Sequence, residues 1–133
     1  MAQVLKAVTV AMLLLMGAVA PAAAPPVVVS SKLSSESAML GQMIRLLLED
    51  RGIPTLDRMT LGATPVVRKA LLAGEIDLYV EYTGNAGFFF NRPNDPAWKD
   101  LQLGYELGSK LDLAANRVVW LTPAPASNAW ALA

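Results

Sequence analysis

Short β-branched or apolar runs alternate along the chain with stretches whose apolar residues recur every three or four positions. Val27-Val28-Val29-Ser30 follows Pro25-Pro26 and is continuous, which suits a strand buried on both faces. Ser34 or Ser35 then caps a helix, with Glu36 in its first turn and Leu40, Met43, Ile44, Leu47 and Leu48 on one apolar face. Gly52 and Pro54 stop it. Residues 55–61 are a weakly patterned second strand. Gly62-Ala63-Thr64-Pro65 predicts a helix start with Thr64 as cap and Pro65 at the first helical position. Val66, Val67, Ala70 and Leu71 then face inward, and Gly74 closes the helix. Residues 76–80 read as a strand and Glu81-Tyr82-Thr83-Gly84-Asn85 as the loop after it. Asp95-Pro96 opens a further helix to about Leu111, with Leu101, Tyr105 and Leu111 inward. Residues 118–121 read as a strand, Thr122-Pro123-Ala124-Pro125 as a rigid connection, and residues 130–133 as the start of another strand. Alternation of this kind predicts an α/β fold, a mostly parallel sheet flanked by helices.

Residues 1–22 stand outside this pattern. Lys6 gives a basic start, residues 7–20 form an uncharged apolar run, and Pro21 with small residues follows. That is the pattern of a secretory signal peptide. The run is shorter than the ~20 residues a spanning helix needs. Cleavage after Ala22 leaves residues 23–133 as the exported portion.

Composition narrows the chemistry. The 133 residues contain no Cys and no His. Disulfide frameworks, cysteine-ligated zinc, thiol catalysis and Ser-His-Asp hydrolysis are therefore excluded. Lys+Arg and Asp+Glu are both 11, so no pull toward nucleic acid is expected. No cofactor, metal site or catalytic constellation is predicted, and the chain does not read as an enzyme.

In open α/β sheets, ligands bind beyond the carboxyl ends of the strands. The loops there are Ser31-Lys32, Gly62-Ala63-Thr64, Glu81-Tyr82-Thr83-Gly84-Asn85 and Ser127-Asn128. They offer a cation, hydroxyls, amides and aromatics, a set suited to recognising a small polar solute. Lys32, ahead of a helix start, is equally readable as a carboxylate partner or as an exposed lysine. Tyr82 could present a ring face to a quaternary ammonium; read alone, it and Trp130 are packing residues. Glu75, Asp77 and Glu81 read as solvated strand-end charges, residues 88–90 as core phenylalanines, Trp98 and Tyr105 as helix-packing residues, and Arg68-Lys69 as a solvated helix face.

Together these stretches resemble the periplasmic solute-binding proteins of ABC importers for osmoprotectants, glycine betaine and choline. The resemblance rests on Val28-Val29-Ser30-Ser31-Lys32, Leu61-Gly62-Ala63-Thr64-Pro65-Val66-Val67, Gly74-Glu75-Ile76-Asp77-Leu78-Tyr79, Glu81-Tyr82-Thr83-Gly84-Asn85 and Trp120-Leu121-Thr122-Pro123-Ala124-Pro125-Ala126. It is densest to the lower-affinity betaine-binding branch. It implies lobe I of a two-lobed, type II periplasmic-binding-protein fold, with the chain ending where the family crosses to its second lobe. It also implies a ligand cage: Lys32 for a carboxylate, Tyr82 and Trp130 as aromatic walls, and Thr64, Thr83, Asn85 and Asn128 as polar contacts. Family members often have Thr where Asn85 stands and Tyr where Trp130 stands.

The function so implied is the periplasmic solute-binding component of an ABC importer. It would take a small quaternary-ammonium ligand, dock on the importer's membrane permease subunits and work as a monomer. The competing expectation is an exported, non-catalytic sensor or adaptor acting through protein contacts.

Overall fold

The computed structural model describes residues 24–126. The signal segment, Asn128, Trp130 and the expected strand at 130–133 lie outside the described residues. Within them the elements are β1 (Val27–Lys32), α1 (Ser35–Glu49), β2 (Thr55–Gly62), α2 (Thr64–Leu72), β3 (Leu78–Tyr79), α3 (Ala86–Phe89) and α4 (Leu101–Asn116). Single 3-10 turns at Thr83–Asn85 and Pro96–Lys99 precede α3 and α4.

The sheet is three-stranded, in the order β2-β1-β3, and both pairings are parallel. The α/β expectation therefore holds, and β1, the run of valines, is the central strand. The crossover β1-α1-β2 moves one way along the sheet and β2-α2-β3 moves back past β1. Right-handed crossovers in opposite directions put their helices on opposite faces. On one face Val67 and Ala70 of α2 bury against Ile76, with Val28, Leu61 and Tyr79 around them.

Local chemistry sets most boundaries. Ser34 caps α1, its hydroxyl accepting from the Ser37 N–H at 3.2 Å. Gly52 and Gly74, at φ 73° and 71°, turn the chain after α1 and α2 in the left-handed region that glycine tolerates. Asp95 caps the turn at Pro96–Lys99, and Asp100, unforeseen, caps α4 itself by accepting from the Leu103 N–H at 2.8 Å.

The expectations need correction in several places. Ala63, not Thr64, is the cap residue of α2, and Thr64 is already helical. Val66 is exposed, and Arg68 takes an inward position instead. On α1, Met43 and Leu47 are exposed while Ser37 and Gly41 are buried, because the helix approaches the sheet through its small residues. The third strand shrinks to Leu78–Tyr79: Asp77 replaces part of the ladder, its carboxylate accepting from the Val28 N–H at 2.7 Å. Residues 118–121 form no strand and pair with none among the described residues. Phe88 is 76% exposed rather than core.

Helix α4 buries Gly104, Gly108 and Asp112, a row at i, i+4, i+8, while Leu101 is exposed. The row admits Trp120, whose ring lies where a side chain at 108 would go: a Cβ there would be 2.6 Å from it. Gly108→Ala therefore sets overpacking of about 1–3 kcal/mol against a helix-propensity gain of about 1 kcal/mol. The expected net is destabilisation of about 1 kcal/mol, read by urea unfolding. A stabilised variant would show that Trp120 yields freely.

Candidate functional site

A sheet ordered β2-β1-β3 reverses direction between β1 and β3. Open α/β sheets bind ligands in the crevice at such a reversal, beyond the carboxyl ends of the strands. Lys32 is the last residue of β1, and Glu81 and Tyr82 follow shortly after β3. The fold thus delivers residues 49 apart in sequence to one place.

The backbone of Lys32 is fixed first. Its N–H donates to the buried Ser37 hydroxyl at 3.1 Å, tying the strand end to the first turn of α1. Alongside, the chain of β2 bulges: the pairing register shifts between Ser30 and Lys32, Thr60 takes φ 53°, and its N–H donates to Ser31 Oγ at 2.8 Å.

The Lys32 side chain enters a largely buried cluster, the residue being 7% exposed. Its ammonium forms an ion pair with Glu81 and lies 4.0 Å from the centroid of the Tyr82 ring. That is well inside cation–π range. Glu81 is the hub. Its Oε1 accepts from Lys32 Nζ, from the Tyr82 N–H at 2.8 Å and from the Asn85 amide at 2.7 Å. Its Oε2 accepts from the Tyr79 hydroxyl at 2.9 Å. Burial, then the Glu81 carboxylate, push the Tyr79 phenol far above its ordinary range, so it stays protonated and donates. Glu81 is therefore not the solvated strand-end charge the sequence suggested.

A second buried pair stands behind it. Arg68 of α2 makes a two-pronged contact with Asp112 of α4, one prong at 2.7 Å. Asp112 is fully buried and also accepts from Trp120 Nε1 at 2.7 Å and Asn116 Nδ2 at 2.9 Å. Burial opposes both charges, but each partner's hydrogen bonds outweigh it, lowering the Asp112 carboxyl and raising the Arg68 guanidinium. Arg68 also lies 4.6 Å from the Phe89 ring centroid and acts on the Tyr79 hydroxyl. The expectation of a solvated face at Arg68 fails for this reason. Two polar clusters thus stand near one another, Lys32 with Glu81 and Tyr79 in one and Arg68 with Asp112 and Trp120 in the other.

The structure gathers Lys32, Tyr82 and Asn85 around Glu81. Thr64 and Asn85 line an adjoining open cleft of about 600 Å³, with Arg68 and Phe89 in its wall. Thr83 turns its methyl toward Gly104 of α4. Asn128 and Trp130 lie outside the described residues. Glu81 and Tyr79 are the site-forming residues that sequence reasoning missed. The available signal was the acid standing immediately before an aromatic at the end of a parallel strand. Among the described residues no group of three or more acidic side chains is placed to hold a metal.

A parallel α/β layer with a buried cation, an aromatic face and amides gathered at its topological switch point defines a solute-binding domain. The chain belongs to the family described as the substrate-binding domain of ABC-type glycine betaine transport systems, whose model matches residues 25–133. It is 54% identical over 111 residues to the glycine betaine-binding protein YehZ of Escherichia coli (strain K12), covering 84% of this chain and 36% of that protein. It is 45% identical over 62 residues to the ergothioneine transport permease/ergothioneine binding protein EgtU of Helicobacter pylori (strain G27), covering 46% of this chain and 11% of that protein. The solved structure of apo YehZ superposes with a TM-score of 0.77 over 79% of this chain and 37% of that one. The chain thus spans little more than a third of the relative it matches over most of its length.

Proposed function

We propose that this chain forms the first lobe of the solute-binding component of an ABC importer for quaternary-ammonium osmoprotectants such as glycine betaine or choline. Residues 1–22 direct its export, it acts as a monomer in the periplasm, and it delivers ligand to the importer's permease subunits without catalysis. One observation carries the reading: a cation already rests 4.0 Å from the Tyr82 ring, at the carboxyl end of the central strand. A trimethylammonium group is attracted to such a face by the same quadrupole. Lys32, beside it, is the partner for a ligand carboxylate, and Asn85, Thr64 and Thr83, with Asn128 and Trp130 from the following segment, complete the contacts. Ergothioneine, named for one relative, is itself a trimethylammonium betaine and belongs among the ligands to be tried.

The test is calorimetric titration of glycine betaine, choline and ergothioneine into the protein as its host exports it. Tyr82→Ala is expected to weaken the preferred ligand by about fivefold or more, equivalent to about 1 kcal/mol. Wild-type affinity in that variant would remove Tyr82 from the cage.

A further inference from the structure

The cation on the Tyr82 ring belongs to the protein itself. We propose that Lys32 is an internal stand-in for the ligand: without ligand its ammonium covers the Tyr82 face, and a quaternary ammonium takes that face only by displacing it. The inference rests on the osmolyte reading above and deepens it, making Lys32 the residue that sets preference among quaternary-ammonium ligands.

The geometry carries the argument. An ammonium 4.0 Å from the ring centroid fills the space directly above that face. A trimethylammonium group needs the same space, so the two cations exclude each other there. Lys32 is held in place by its ion pair with Glu81, which is fixed in turn by the Tyr82 N–H, the Asn85 amide and the Tyr79 hydroxyl. Nothing holds the ammonium irreversibly: it is a compact charge on a flexible four-carbon stem.

Displacement has different consequences for two ligand types. A zwitterion brings a carboxylate, and the displaced ammonium exchanges its ring contact for a charge-assisted hydrogen bond to that carboxylate. A plain cation brings none. It leaves Lys32 without that compensation and adds repulsion between two positive charges in a poorly solvated cluster. The protein's own lysine thus favours betaines over carboxylate-free quaternary ammonium ions. Glu81 acts as a positioning residue, through Lys32.

The experiment compares glycine betaine with tetramethylammonium on the full natural protein and on its Lys32→Met variant. In the variant the competing charge is gone, and a flexible, uncharged thioether stands where the ammonium was and yields to an incoming cation. Tetramethylammonium is expected to bind roughly 3- to 30-fold tighter than to wild type, the range of one cation–π contact. Glycine betaine is expected to bind more weakly, having lost its carboxylate partner. Unchanged or weaker tetramethylammonium binding by the variant, with normal glycine betaine binding by wild type, overturns the stand-in and leaves the osmolyte reading intact. Failure of wild type and variant alike to bind any quaternary ammonium overturns both.

A measurement on wild type alone decides the matter should the variant not fold. The Lys32 ε-methylene protons lie in the ring current of Tyr82 and are expected upfield in the NMR spectrum of the ligand-free protein. Saturating glycine betaine is expected to abolish that shift. An upfield resonance that persists at saturation would mean that Lys32 never leaves the ring.

Discussion

Asp112→Ala is expected to remove about 3–5 kcal/mol of folding free energy, the cost of breaking a buried ion pair by deleting one partner. Three groups lose their acceptor at once: the Arg68 guanidinium, the Trp120 indole and the Asn116 amide. Arg68 is only 8% exposed, so water cannot replace what is lost. Against a total stability of about 5–15 kcal/mol for an ordinary domain, the loss is severe. Urea unfolding of the full protein at neutral pH measures it, and a cost below about 1 kcal/mol would show that the pair behaves like a surface salt bridge. Acid provides the second arm. The Asp112 carboxyl is held below the ordinary carboxylate range in the folded protein. Its contribution is therefore complete above that range and disappears as pH falls through the lowered value. The stabilities of wild type and variant should accordingly converge on acidification.

Glu81→Ala is expected to cost a comparable amount, about 3 kcal/mol, and to disorganise the loop at residues 81–85. It leaves the Lys32 ammonium without its counter-charge and the Tyr79 hydroxyl, the Tyr82 N–H and the Asn85 amide without their acceptor. Amide hydrogen exchange at Tyr82 should accelerate, because the N–H loses a charged acceptor. The double change Glu81→Leu with Lys32→Met removes both charges together. It should recover most of the lost stability, since apolar replacement of a whole buried pair is near neutral. Additive losses in that double variant would mean that the two residues act independently.

Local order was largely legible in the sequence, and long-range pairing was not. The valine run of β1, the Ser34 and Asp95 caps and the glycine stops all follow from rules that look a few residues ahead. Lys32 with Glu81, 49 residues apart, and Arg68 with Asp112, 44 apart, obey no local rule. Periodicity scores a charge as outward, so Arg68 reads as solvated although it stands beside Val67 and one turn before Leu71. The same weakness hid Asp112, the lone acid continuing the row of Gly104 and Gly108. The resemblance implies a shared ligand site for Lys32, Tyr82 and Asn85, and the three stand together at the end of the central strand. It did not reveal that the Lys32 ammonium, the Tyr82 N–H and the Asn85 amide all converge on Glu81, because a hub that touches its neighbours rather than a ligand has no motif of its own. Residues 76–80 and 118–121 read as strands because apolar content marks burial, whereas a ladder also requires partner backbone, which only Leu78–Tyr79 finds among the described residues.

Strand β2 stands at one side of the described sheet, with no strand beyond it. An open edge of this kind is a template on which another chain can add itself and begin to aggregate. The strand is poorly suited to that use. Asp57 and Arg58 are exposed along it, and Asp57 is engaged by Gln42 and Arg45 of α1. Thr60, at φ 53°, bends the backbone out of the pleat just where an incoming strand would need it flat. The bulge that sets the chain beside Lys32 thus also protects solubility, by denying a stray strand a straight edge on which to grow.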